Sequence, residues 1–110
     1  MKLPNRRNVV IPKEKLKKYL LSQTHATGKF KARFFRNLGF DKTNVGLFEN
    51  SIYKIAQEQS IKQELLSTYG VKYIIDGKIK TPNGGVIKVR TVWIIEKSQK
   101  SARFITLYPV

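Results

Sequence analysis

The stretch Val71-Lys72-Tyr73-Ile74-Ile75-Asp76-Gly77-Lys78-Ile79-Lys80-Thr81-Pro82-Asn83-Gly84-Gly85-Val86-Ile87-Lys88-Val89-Arg90-Thr91-Val92-Trp93-Ile94-Ile95-Glu96 decides the fold. Its two arms are rich in β-branched and aromatic residues, the side chains that fit a pleated, half-buried surface. Between them Pro82-Asn83-Gly84-Gly85 carries the residues a tight turn needs, with Asn-Gly able to supply positive φ. The arms are therefore expected to pair directly as an antiparallel hairpin.

Working outward, Ile61 to Tyr69 and Arg103 to Tyr108 have the same strand character. Gly70 separates the first from the hairpin, and Ser98-Gln99-Lys100-Ser101 separates the last. The second half of the chain thus reads as a four-stranded meander. Period-two alternation puts Thr91 with Val89 and Trp93, and Arg90 with Lys88, Val92 and Ile94. Arg90 and Thr91 then point to opposite faces, and the sequence leaves open which of them meets a ligand. In the last strand, regular alternation sets Ile105 and Leu107 on one side and Phe104, Thr106 and Tyr108 on the other.

The first half changes period. Leu16, Tyr19 and Leu20 follow Pro12 at helical spacing. Phe30, Phe34 and Leu38 follow Lys29, and Gly39 is placed to end that second helix. A third helix is expected from about Thr43 or Asn44, through Leu47, Phe48, Ile52 and Ile55, to about Gln59. Helices followed by strands give an α+β class. The expected architecture is about three N-terminal helices, in about residues 1–60, packed on one face of a four-stranded antiparallel sheet formed by about residues 61–110. At 110 residues the chain is read as a single domain.

Charge bears on partners. Lys and Arg number 22 against 7 Asp and Glu, a net charge of +15 at pH 7, well beyond what solubility asks of a domain this size. Such a surplus attracts phosphate backbones by counterion release and speeds encounter with any acidic partner. There is no Cys and one His, so disulfides and thiolate ligands are excluded and no clustered metal-ligand motif is present. No apolar run approaches the roughly 18 residues of a membrane helix, and Met1-Lys2-Leu3-Pro4-Asn5-Arg6-Arg7 has no signal-peptide core. No metal, cofactor or membrane is expected. Gly84-Gly85 stands at a hairpin tip, not before a helix, which removes a nucleotide-binding loop.

What remains suits phosphodiester chemistry without a metal. RNA carries its own nucleophile, so an enzyme need only move protons and stabilise the charge on phosphorus. His25, in the polar run Ser22–Gly28, has the side chain best matched to proton transfer near neutral pH. Lys31 and Arg90 are candidates to stabilise the phosphorane, Thr106 or Thr91 to donate to a phosphate oxygen, and Tyr108 and Trp93 to stack on bases. Lys29, Arg33 and Lys88 extend the basic surface. A non-catalytic nucleic-acid-binding module shares the charge and the aromatic residues without needing His25. A protein-interaction or antitoxin component would use the same charge to dock on an acidic partner.

The segments Tyr19-Leu20-Leu21, His25-Ala26-Thr27-Gly28-Lys29-Phe30-Lys31-Ala32-Arg33-Phe34-Phe35-Arg36-Asn37-Leu38-Gly39-Phe40, Arg90-Thr91-Val92-Trp93-Ile94-Ile95-Glu96 and Thr106-Leu107-Tyr108-Pro109 resemble a family of small bacterial domains of unassigned function found beside toxin modules. The layout is also similar to the barnase, EndoU, colicin and RelE-like (BECR) ribonuclease toxins. That resemblance implies RNA cleavage without metal, in the cytoplasm, and neutralisation by a small, often acidic, antitoxin or immunity protein. It places His25 as general base or acid, Lys31 and Arg90 at phosphate, and Thr106 and Tyr108 at the closing end of the cleft; Thr91 and Trp93 match less securely. With only one His, the two-histidine pair of EndoU-like members is incomplete, and Lys31 or Tyr108 would have to take the second proton-transfer role.

Overall fold

A computed structural model describes residues 1–16, 29–41 and 43–110. The elements are a 3-10 turn at Arg6–Asn8, α1 (Lys13–Lys15), α2 (Lys29–Asn37), α3 (Val45–Glu58), β1 (Gln63–Leu66), β2 (Gly70–Lys80), β3 (Val86–Glu96) and β4 (Arg103–Pro109). The class is α+β, and the four strands form one antiparallel sheet in the order β1-β2-β3-β4. The first helix expected from the sequence is described only in its opening turn; Tyr19 and Leu20 lie outside the described residues.

The central hairpin forms as its sequence requires. Lys80 pairs with Val86 and Gly70 with Glu96, around a loop in which the Thr81 N–H donates to the Gly85 carbonyl (2.9 Å) and the Gly84 N–H to the Thr81 carbonyl (3.0 Å). Only Gly84 takes positive φ there (92°). The connection is thus a five-residue loop, not a two-residue Asn-Gly turn. The β2 residues Tyr73, Ile75 and Ile79 and the β3 residues Val89, Thr91 and Trp93 are buried on one face. Lys72, Lys78, Lys80 and Lys88 are exposed on the other.

α3 covers the buried face. Its Val45, Phe48, Ile52, Ile55 and Ala56 recur at helical spacing and are buried. Ile55 seats directly on Gly77, where an added Cβ would stand 2.6 Å from Ile55 Cγ1, so the approach of helix to sheet depends on that missing side chain. α2 joins the same core through Phe35, whose ring lies 5.0 Å from Phe48. It ends as expected at Gly39 (φ 102°), with the Phe40 N–H donating to the Phe35 carbonyl (3.1 Å) and the Gly39 N–H to that of Arg36 (2.9 Å).

Two features depart from the sequence reading. β1 is shorter than the expected Ile61–Tyr69 and exposed along its whole length, because Ser67 turns the chain: its N–H and hydroxyl both donate to the Gly70 carbonyl. The second departure is a β-bulge. Val92 pairs with Thr106 but Trp93 with Phe104, leaving Ile105 as the extra residue. Regular alternation would have set Ile105 beside Leu107. The bulge instead sends Phe104 and Leu107 together into the core, both fully buried, and Phe104 meets Trp93 edge-on at 5.4 Å between ring centroids.

An unanticipated N-terminal segment follows the outer edge of β4. Val10 bridges Arg103 in parallel, its N–H donating to the Ala102 carbonyl and its own carbonyl accepting from Phe104 (both 2.9 Å). Leu3, Val9 and Ile11 are buried with the core. Among the described residues no helix is long and apolar enough to cross a membrane.

Candidate functional site

The sheet sorts the predicted site residues by face. Arg90, Val92, Thr106 and Tyr108 lie on the face opposite the core, because Arg90 pairs with Tyr108 and Val92 with Thr106. Thr106 and Tyr108 remain together despite the bulge, since the irregularity falls before both. Lys88 joins them on β3 and is exposed. Arg90 and Thr91 point to opposite faces, as alternation requires: Arg90 is on the outer face, with 28% of its side chain exposed, and Thr91 is fully buried.

Thr91 and Trp93 work as a pair inside. The Thr91 hydroxyl donates to the Ile75 carbonyl (2.6 Å) and accepts from Trp93 Nε1–H (2.9 Å). That arrangement satisfies both polar groups within an apolar layer. Trp93, a stacking candidate whose apolar run Val92-Trp93-Ile94-Ile95 equally reads as a core strand, has no exposed ring face; its bulk fills the core between β2 and β4.

The helical candidates stand elsewhere. Lys29 and Lys31 belong to the first turn of α2, and Arg33 is exposed farther along it. This helix enters the core from the side of the sheet away from Arg90. His25 lies outside the described residues.

Two residues that the sequence reading did not single out complete the outer-face cluster. Asp76 pairs with Arg90 across β2 and β3. Its carboxylate accepts from Arg90 Nε–H at 2.8 Å and from the terminal Nη2–H at 3.1 Å, a bidentate geometry that fixes the guanidinium plane. Lys62 Nζ stands 3.5 Å from the same carboxylate, held by its own backbone N–H donating to the Ile74 carbonyl (2.8 Å). The Arg90 hydrogen bonds hold the Asp76 carboxyl below its ordinary range against the opposing effect of burial, with the charges of Arg90 and Lys62 adding to this. The Asp76 hydrogen bond in turn raises Arg90, with a smaller contribution from the Tyr108 hydroxyl.

A signal for the Asp76–Arg90 pair existed in the sequence. The hairpin pairs residues equidistant from Asn83, and Asp76 and Arg90 each stand seven positions from it. The five-residue loop had to be known before that count could be made.

The outer face as a whole is basic. Lys72, Lys78, Lys80, Lys88, Arg90 and Arg103 outnumber Asp76 and Glu96, and Glu96 is itself paired with Arg103. A preorganised guanidinium beside a phenol and a threonine, on a basic surface, can bind a phosphodiester and stabilise added charge on it. Among the described residues no three His, Cys, Asp or Glu side chains converge as a metal-ligand set.

Comparison with known proteins agrees with the fold. A chain of a contact-dependent growth inhibition toxin–immunity protein complex from Klebsiella pneumoniae 342 is similar over 94% of this chain and 95% of its own, with a TM-score of 0.74 and 20% sequence identity. No curated protein matches the chain. The family model described as a domain of unknown function, DUF6883, matches residues 2–110, and the chain is therefore a member of that family.

Proposed function

We propose that the protein is a metal-independent endoribonuclease toxin that binds RNA on the outer face of its sheet and is neutralised by a cognate immunity protein or antitoxin. The observation that carries this reading is the convergence of Arg90, Thr106 and Tyr108 on one basic face, with Arg90 held rigidly by Asp76. The structural neighbour belongs to a complex of a growth-inhibition toxin with its immunity protein, which supports a toxin system as the context.

In this reading the 2′-hydroxyl of the substrate gives its proton to His25 as its oxygen attacks phosphorus. Arg90 stabilises the phosphorane, the bond from phosphorus to the 5′-oxygen breaks, and that oxygen takes a proton from an acid. Tyr108 suits the acid role better than Lys31, because it lies directly opposite Arg90 in the β3–β4 ladder. The products are a 2′,3′-cyclic phosphate and a 5′-hydroxyl. Lys88, exposed on the same face, would hold a flanking phosphate, whereas α2, which carries Lys29, Lys31 and Arg33, lies on the other side of the sheet.

The test is cleavage of RNA by the purified chain with a chelator present. Fragments ending in 2′,3′-cyclic phosphate are expected, with His25→Ala slower by about 10²–10⁴-fold while RNA binding persists. RNA left intact by the folded wild type overturns the proposal in favour of a non-catalytic binding module. A role as the immunity component is the second reading, since the neighbouring complex contains both kinds of protein. Growth arrest when the chain is expressed alone is expected of the toxin and not of its antagonist.

A further inference from the structure

We propose that Asp76 is a positioning residue for Arg90 and that Lys62 is a second phosphate-binding cation, the two cations forming a clamp gathered on one carboxylate. The inference deepens the ribonuclease reading and shares its binding surface. It starts from the way the pair is built. A guanidinium has five N–H donors. Asp76 takes the Nε edge and one Nη2 hydrogen and the Tyr108 hydroxyl makes a further contact, which leaves part of the fork to face a ligand. A long arginine otherwise samples many rotamers, and fixing it beforehand removes that ordering cost from binding and from the transition state.

A purely neutralising role for Asp76 fits the surroundings less well. The surface carries so large an excess of cations that one more uncompensated charge needs no partner for stability, and exposed ion pairs contribute little. Yet the Asp76 side chain is only 14% exposed, and it engages Arg90 along the edge that leaves the rest of the fork available. Nor does Asp76 suit the role of general base: its lowered affinity for protons makes it a fixed charge. Lys62 reaches the same carboxylate from the segment leading into β1, with its side chain 54% exposed, so its ammonium can serve a phosphate and Asp76 together.

The two roles of Asp76 predict opposite signs in a double-mutant cycle. The probe is a single-stranded oligodeoxynucleotide, which has no 2′-hydroxyl and stays uncut, so the result does not depend on the protein's being a nuclease. If Asp76 positions Arg90, the affinity lost through Arg90→Ala is several-fold smaller in the Asp76→Asn background than in the wild type. If Asp76 only masks Arg90, the loss is larger in that background, and an equal or larger loss overturns the positioning role. Lys62→Met is expected to lower the slope of log affinity against log salt by about 0.7, the value for one phosphate contact on a single strand; an unchanged slope overturns the clamp. Thermal melts of each variant confirm folding. Asp76→Asn is also expected to slow RNA cleavage by about 10²-fold. Failure of the wild type to cut RNA overturns the ribonuclease reading alone, because the oligodeoxynucleotide cycle still decides the clamp.

Discussion

On the core side of the central hairpin, Thr91 and Trp93 satisfy each other and Ile75 in a layer closed by α3 and by Phe104. One residue away, Arg90 spends its hydrogen bonds on Asp76 and leaves part of its fork to solvent. The two faces are cut from the same strands, and alternation alone separates them. The two faces constrain their residues in different ways. A core residue is fixed by volume and by complete pairing, whereas an outer-face residue is fixed by one charged partner and keeps capacity for another. Substitutions on the first face should cost stability, and substitutions on the second should cost binding and rate.

The largest stability effect is expected from Trp93→Ala, at about 3–5 kcal/mol, since an aromatic ring is removed from a packed layer and the Thr91 hydroxyl loses a donor. Urea titration measures it, and a cost below about 1 kcal/mol would place Trp93 outside the core. Next, Thr91→Val keeps the shape but leaves Trp93 Nε1–H without its acceptor, for about 1–3 kcal/mol, with oligonucleotide affinity unchanged. A Gly77→Ala variant pushes a methyl group into Ile55 and is expected to cost about 1–3 kcal/mol, again without altering binding by the outer face.

The smallest effect concerns pH and the Asp76 carboxylate. Its folded-state pKa is depressed, so it contributes stability above the unfolded-state value of about 3.9. That contribution is lost as pH falls through the lower folded value. The melting temperature of wild type should therefore exceed that of Asp76→Asn most at neutral pH, with the gap closing below about pH 4. A gap that widens on acidification would contradict the assigned direction.

Much of this division was legible in the sequence. The run from Val71 to Glu96, the turn at Pro82–Gly85, the helical spacing of Phe48, Ile52 and Ile55 and the stop at Gly39 each express a local rule. They led to the α+β class and to the opposition of Arg90 and Thr91. What was not legible depends on long-range pairing. A bulge at Ile105 has no signature of its own, being a compromise that lets both Phe104 and Leu107 reach the core. The segment Val9-Val10-Ile11 is too short to declare itself before β4 offers an edge. Asp76 and Lys62 look like ordinary charged residues until the hairpin register and the entry to β1 bring them to Arg90.

The proposed seat of RNA binding and cleavage is the outer face around Arg90. It is tested most directly by comparing RNA cleavage rates of Arg90→Ala, Thr91→Val and wild type at saturating RNA, with chelator present and folding verified by melting. The expected result is a loss of about 10²–10³-fold for Arg90→Ala, the scale for removing a preorganised charge stabiliser, with Thr91→Val cutting within a few-fold of wild type. Cleavage by folded Arg90→Ala at the wild-type rate would contradict it.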